Sequence, residues 1–166
     1  MKKLLIILIL LGNMSILLAQ NSTPVFWSFS VRESNDTSFV LHIKATIEKG
    51  WYIYSEDVTD GGPIPLIINF DETTNLIAGG TLTAKTASVE LYDDIFEMNI
   101  RYYEDSAIFE RQFIPSGNRV DLLFYSEAQA CFKKDGQCRL ESNDILIQAK
   151  KEDNIWIIEN TKIIIK

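Results

Sequence analysis

Apolar and polar residues alternate through most of this chain, and that period of two limits the fold more than any other feature. Side chains one residue apart on a strand point to opposite faces, so alternation marks a strand with one face buried. Val25, Trp27, Phe29 and Val31 share one face. Phe39, Leu41, Ile43, Ala45 and Ile47 share another, with Val40, His42, Lys44 and Thr46 facing away. Leu66, Ile68 and Phe70 form a third such set. Strands are also expected over 51–54, 97–103, 107–114, 120–128, 137–149, 155–158 and 162–165. Turn residues punctuate these runs: Asn35-Asp36, Glu48-Lys49-Gly50, Pro115-Ser116-Gly117-Asn118 and a charged segment at 150–154. A long loop with Gly61, Gly62, Pro63 and Pro65 spans 55–65, and Thr-rich alternation follows Gly79-Gly80. The stretch 89–96 mixes aromatics with acids and reads as a loop or cap. No stretch long enough for a helix has a period of about 3.6. Short strands with a turn about every eight to twelve residues predict an all-β antiparallel sandwich.

The first nineteen residues stand outside that pattern. Lys2 and Lys3 precede an apolar run, and Ala19 supplies a small residue before Gln20. This is the layout of a secretory signal peptide over 1–19. The run is broken by Gly12, Asn13 and Ser15, short for a membrane span. The mature chain, 20–166, is then expected to be a single domain without a stable membrane anchor, exported to the periplasm. Without Lys2 and Lys3 it carries 14 basic against 23 acidic residues. That acidic balance argues against nucleic acid or an anionic membrane surface as partner.

Few residues invite catalysis. His42 is the only histidine and lies at an outward strand position. One histidine and two cysteines would need carboxylates as well to hold zinc, so no metal is expected. No serine-histidine-acid motif surrounds His42, and Gly61-Gly62-Pro63 is a turn rather than a phosphate cradle. Asn35-Asp36-Thr37 has the form of a glycosylation acceptor, without meaning in a bacterial envelope. Asp93 and Asp94 sit among Tyr92, Ile95 and Phe96. They are either a solvated loop or part of an aromatic–acid cover over something shielded.

The remaining candidates are Cys131 and Cys138, the only cysteines. Asp135-Gly136 between them is a tight-turn dipeptide, so a β-hairpin with one cysteine on each arm is the simplest arrangement. Facing Cβ atoms on adjacent strands lie roughly 4.5–5.5 Å apart, close to the reach of a disulfide. Such a bridge is either a staple or a reagent. As a staple it contributes roughly 2.5 kcal/mol, because the loop it closes is short. A domain of this size does not need it to fold. As a reagent it is accessible to an attacking thiolate, with Lys133, Lys134 and Arg139 nearby to favour a thiolate form.

Gly50-Trp51-Tyr52-Ile53-Tyr54-Ser55, then Gly61-Gly62-Pro63, then Asp93-Asp94-Ile95-Phe96, then a cysteine pair after Val120-x-Leu122-x-Phe124-Tyr125 together form a pattern. It resembles the N-terminal periplasmic domain of the thiol:disulfide interchange protein DsbD, here as a free-standing version. The likeness runs from about Trp27 to Ala149. It implies an immunoglobulin-like sandwich with an inserted cysteine-bearing hairpin. It also implies that Cys131 and Cys138 exchange between disulfide and dithiol, and that no cofactor is needed. Asp93 or Asp94 would match the family's active-site acid, Phe96 the aromatic of its cap loop, and Tyr52 and Tyr54 the tyrosines beside the disulfide. Partners would be a thioredoxin-like or membrane-embedded electron donor and envelope oxidoreductases as acceptors. The chain would then be a component of protein-disulfide reduction. The other reading is an envelope binding or assembly module with a structural disulfide.

Overall fold

Twelve strands account for the regular structure of a computed structural model that describes residues 23–35, 37–71, 76–94 and 96–166. The expected signal peptide and its cleavage point lie outside the described residues, as do Asp36 and Ile95. The strands are β1 (Val25–Asn35), β2 (Ser38–Ile47), β3 (Trp51–Tyr54), β4 (Ile67–Phe70), β5 (Leu76–Ala78), β6 (Thr83–Ala84), β7 (Val89–Asp93), β8 (Met98–Glu104), β9 (Ser106–Pro115), β10 (Arg119–Phe132), β11 (Cys138–Glu152) and β12 (Ile155–Ile165). One sheet has the order β1-β2-β9-β5, with β6 also on β9. The other has the order β12-β11-β10-β3-β8-β7, with β4 also on β10. All pairings are antiparallel. The fold is therefore the expected all-β sandwich.

The alternation has the expected consequence. Phe39, Leu41 and Ile43 of β2 are fully buried, and so, to within about a hundredth of their surface, are Leu122, Phe124, Ile145 and Ile147 of β10 and β11. They belong to one core cluster between the sheets, which Trp27, Phe29, Ile68 and Phe70 flank. Aromatic pairs bridge the layers: Phe29–Phe124 at 5.7 Å and Tyr103–Phe109 at 5.7 Å, both edge-to-face. Each large side chain so buried is worth about 1.5–3 kcal/mol.

Three segments differ from the sequence reading. The stretch 89–96 is not a plain loop: β7 pairs with β8 from Val89↔Tyr102 to Asp93↔Met98, closing a hairpin whose turn contains Glu97 at a φ of 53°. β7 lies at the end of its sheet with Val89, Leu91 and Tyr92 exposed. A strand without a buried face carries no alternation to read. The two expected terminal strands are one, β12, whose ladder with β11 shifts register between Gln148 and Ala149. That irregularity takes up Glu159, while the polar Asn160, Thr161 and Lys162 pair with β11. β4 begins only at Ile67, so Leu66 of the third alternating set lies before it.

β10 and β11 are the longest strands, and the cysteines lie at their far end. β3 and β4 share the same edge of β10: β4 pairs with Phe124–Glu127 and β3 with Ala130–Phe132. The chain leaves that edge after Tyr54 and returns at Ile67, so the loop between them lies beside the cysteine end. Gly50 makes the entry into β3 possible. Its φ is 88°, and a Cβ there would lie 2.8 Å from Cε2 of Phe132. Phe132 cannot easily yield, because its ring packs on Trp51 at 5.3 Å. Gly50→Ala is expected to lower stability by about 1–3 kcal/mol, read as a lower urea midpoint at constant slope. An unchanged midpoint would show that the Phe132–Trp51 pair moves freely.

Candidate functional site

The tip of the β10–β11 hairpin is built by its own turn chemistry. Gly136 adopts a φ of 71°, and the Asp135 carboxylate accepts a hydrogen bond from the Gln137 amide at 3.0 Å. The Phe132 amide donates to the Gln137 carbonyl at 2.8 Å, which makes Cys131 and Cys138 the adjacent non-hydrogen-bonded pair. Such pairs approach most closely, and here the Cα atoms are 4.0 Å apart and the sulfurs are joined in a disulfide. The bridge lies where the turn and the register bring it.

The two sulfurs have unlike surroundings. Val120, Leu122, Phe124, Ala128 and Ala130 point inward from β10, so Cys131 points to the outer face of the sheet. An outward residue is ordinarily half-wet, yet Cys131 has no exposed surface. A second, small hydrophobic cluster on that outer face covers it. Its buried members are Tyr54, Ile100 and Cys131, with Tyr52, Val58 and Met98 packed around them. Val58 comes from the loop between β3 and β4, and Ile100 and Met98 come from β8. Cys138 is exposed. Its sulfur lies 3.4 Å from the Gly136 carbonyl oxygen and borders a groove of about 490 Å³ that Trp51, Arg139, Leu140 and Ile165 also line.

Tyr52 and Tyr54 stand beside the bridge. Their rings meet edge-to-face at 5.4 Å, their hydroxyls are 3.3 Å apart, and the Tyr54 hydroxyl is 3.9 Å from the Cys131 sulfur. Burial holds the Tyr54 phenol well above its ordinary pKa, aided by the Tyr52 hydroxyl and by the charges of Tyr52 and Asp93. Tyr54 therefore keeps its proton and can donate it. Asp93 is half-buried and its carboxylate accepts from the Phe96 amide at 3.0 Å. Asp94 is exposed in the turn. The field of Asp93 thus reaches Tyr54, one residue removed from the sulfur. Phe96 is half-buried but is not a member of the cluster around Cys131; Val58 and Met98 are.

Two of the cations near the bridge, Lys133 and Arg139, have partners of their own. Lys133 pairs with Glu104 and stands over the Tyr102 ring at 5.3 Å, and Glu104 holds its pKa above the ordinary value. Arg139 stacks on Trp51 at 5.0 Å. Lys133 is thereby held toward the β8 side of the sheet. His42 belongs to the other sheet, where it joins Arg32 and Lys85 around Glu110. Among the described residues, no three histidine, cysteine, aspartate or glutamate side chains gather as a metal site would require.

Sequence reasoning missed Gln129, Val58, Met98 and Ile100. Gln129 was within reach, since it lies two residues before Cys131 and so shares its face. Its amide nitrogen is 3.9 Å from the Cys131 sulfur, and its Oε1 accepts from the Ile64 amide at 2.9 Å. The other three become neighbours only through strand pairing.

No protein-family model matches the chain, and no curated protein matches its sequence. Among solved structures, it is similar to the N-terminal domain of Neisseria meningitidis DsbD in the reduced form, with a TM-score of 0.49 and 15% identity over 81% of this chain and 88% of that one. It is also similar to a structure of the complex between the DsbD N-terminal and the PilB N-terminal domains from Neisseria meningitidis. There the TM-score is 0.43 and the identity 11%, over 81% of this chain and 89% of that one.

Proposed function

We propose that this chain is a periplasmic thiol–disulfide exchange module, which accepts and passes on electrons through Cys131 and Cys138. The observation that carries the reading is the asymmetry of the bridge: one sulfur is exposed and the other is fully buried in a mostly apolar cluster, with the Tyr54 hydroxyl 3.9 Å away. Exchange needs an approach in line with the S–S bond toward one sulfur, and a second sulfur able to leave as thiolate. Cys138 offers the approach and Cys131 the departure. A staple has little to hold here, since the β10–β11 ladder runs from Arg119↔Lys150 to Ala130↔Arg139 without it.

In this reading a thiolate of a thioredoxin-like or membrane-embedded donor attacks Cys138, and the resulting dithiol later reduces an envelope oxidoreductase. Asp93, through Tyr54, is the acid placed to influence proton movement, and Asp94 belongs to the same turn. The resemblance gives Phe96, in the turn of the β7–β8 hairpin, the part of a cap. The sulfur pair carries the electrons without a cofactor. Equilibration with thiol buffers of known potential tests the proposal. The expected potential lies between about −300 and −120 mV, the span of exchange proteins. A value below about −300 mV would mark a structural bridge and overturn the reading.

A further inference from the structure

We propose that Gln129 holds the leaving sulfur: its carboxamide N–H donates to Cys131 as that sulfur becomes a thiolate, with the Tyr54 hydroxyl as second donor and the Ile64 amide setting the carboxamide's orientation. The inference rests on the exchange reading above. In the reductive step a partner's thiolate forms a bond to the Cys138 sulfur and the Cys131–Cys138 bond breaks. The electron pair of that bond then resides on the Cys131 sulfur, while the partner and Cys138 share the new disulfide. This puts an anion at a position with no exposed surface. A buried charge without hydrogen-bond donors is strongly disfavoured, so the step depends on what faces Cys131.

Most of what faces it is apolar: Ile100, Met98 and Val58. Lys133 is engaged by Glu104, and the negative charge of Asp93 acts near Tyr54, against an anion. The donors at hand are Tyr54, whose hydroxyl is 3.9 Å from the sulfur, and Gln129, whose Nε2 is also 3.9 Å from it. Tyr52 meets the Tyr54 hydroxyl instead. The orientation of Gln129 follows from chemistry. The Ile64 N–H can only donate, so the atom facing it is the carboxamide oxygen, which leaves the amino group toward the sulfur. Both sulfur contacts are long in the disulfide, as hydrogen bonds that tighten during reaction commonly are.

The test separates donation from the tie to Ile64. Gln129→Glu keeps an acceptor for Ile64 but loses the donor, whereas Gln129→Leu loses both without adding charge. Each is combined with Cys138→Ser, and the titration of Cys131 is followed by the NMR shift of its β-carbon. The Cys131 pKa is expected to rise by about one pH unit in Gln129→Leu and further in Gln129→Glu. With both cysteines present, dithiothreitol is expected to reduce the disulfide a few-fold more slowly in Gln129→Leu than in the parent, since a thiol of higher pKa leaves more slowly and only part of its pKa change enters the rate. A Cys131 titration unmoved in Gln129→Leu overturns the proposal. So does a Gln129→Glu variant that reduces at the parent rate, which would leave Gln129 as a loop tie. If the titration shifts as expected but the parent's potential is that of a structural bridge, the contact stands and the exchange reading falls.

Discussion

Cys131→Ala is expected to trap a mixed disulfide with a thioredoxin-like protein lacking its resolving cysteine, and Cys138→Ala is expected to trap none. The first variant leaves the exposed sulfur free to bond and removes the one that would resolve the complex. The second leaves a thiol with no exposed surface beneath Tyr54 and Ile100. Nearby charge would point the other way, because Lys133 lies closer in sequence to Cys131. The structure removes that argument by pairing Lys133 with Glu104. Access then decides, since exchange requires a straight approach to one sulfur. Non-reducing electrophoresis followed by mass analysis of the linked peptide reads the result. Equal trapping by both variants would mean that the cluster over Cys131 opens readily, and trapping by neither would count against exchange.

The largest loss of stability is expected from Phe124→Ala, at about 3–5 kcal/mol. Phe124 is 1% exposed, its ring is 4.8 Å from Phe70 and 5.7 Å from Phe29, and it joins the two sheets at the middle of β10. β11 holds one edge of the strand there and β4 the other, so the backbone cannot collapse into the space left behind. A domain with a total stability of about 5–15 kcal/mol loses a large part of it. The comparison is the double variant Cys131→Ser with Cys138→Ser, expected to stay folded and to lose roughly 2.5 kcal/mol through loop entropy. Urea unfolding of both measures the difference. If the cysteine variant lost as much as Phe124→Ala, the bridge would be a main support of the fold.

These two expectations draw on different levels of the molecule. The fold class, and the alternation of Val120, Leu122 and Phe124, were legible in the sequence because side-chain direction on a strand is a local property with a period of two. The same parity places Gln129 and Cys131 together on the opposite face. Asp135-Gly136 likewise settles the turn, and with it the pairing of Cys131 with Cys138. The edge strand β7 was not legible, because a strand with exposed Val89, Leu91 and Tyr92 has no buried face to mark it. The bulged β12 was split in the sequence reading for a related reason: its polar middle, from Glu159 to Lys162, interrupts the apolar pattern although only Glu159 lies at the register shift.

What the sequence by itself determined is therefore the sandwich, its inward residues and the hairpin that joins the cysteines. Only the tertiary structure decided that Cys131 is dry and Cys138 wet. That difference depends on Val58, Ile100 and Met98 reaching the outer face of β10. They come from a loop and a strand that reach it because β3 pairs with β10 on one side and β8 on the other. Local alternation tells which way a side chain points. It does not tell what meets it there, because the covering residues come from distant segments and are assembled by strand pairing.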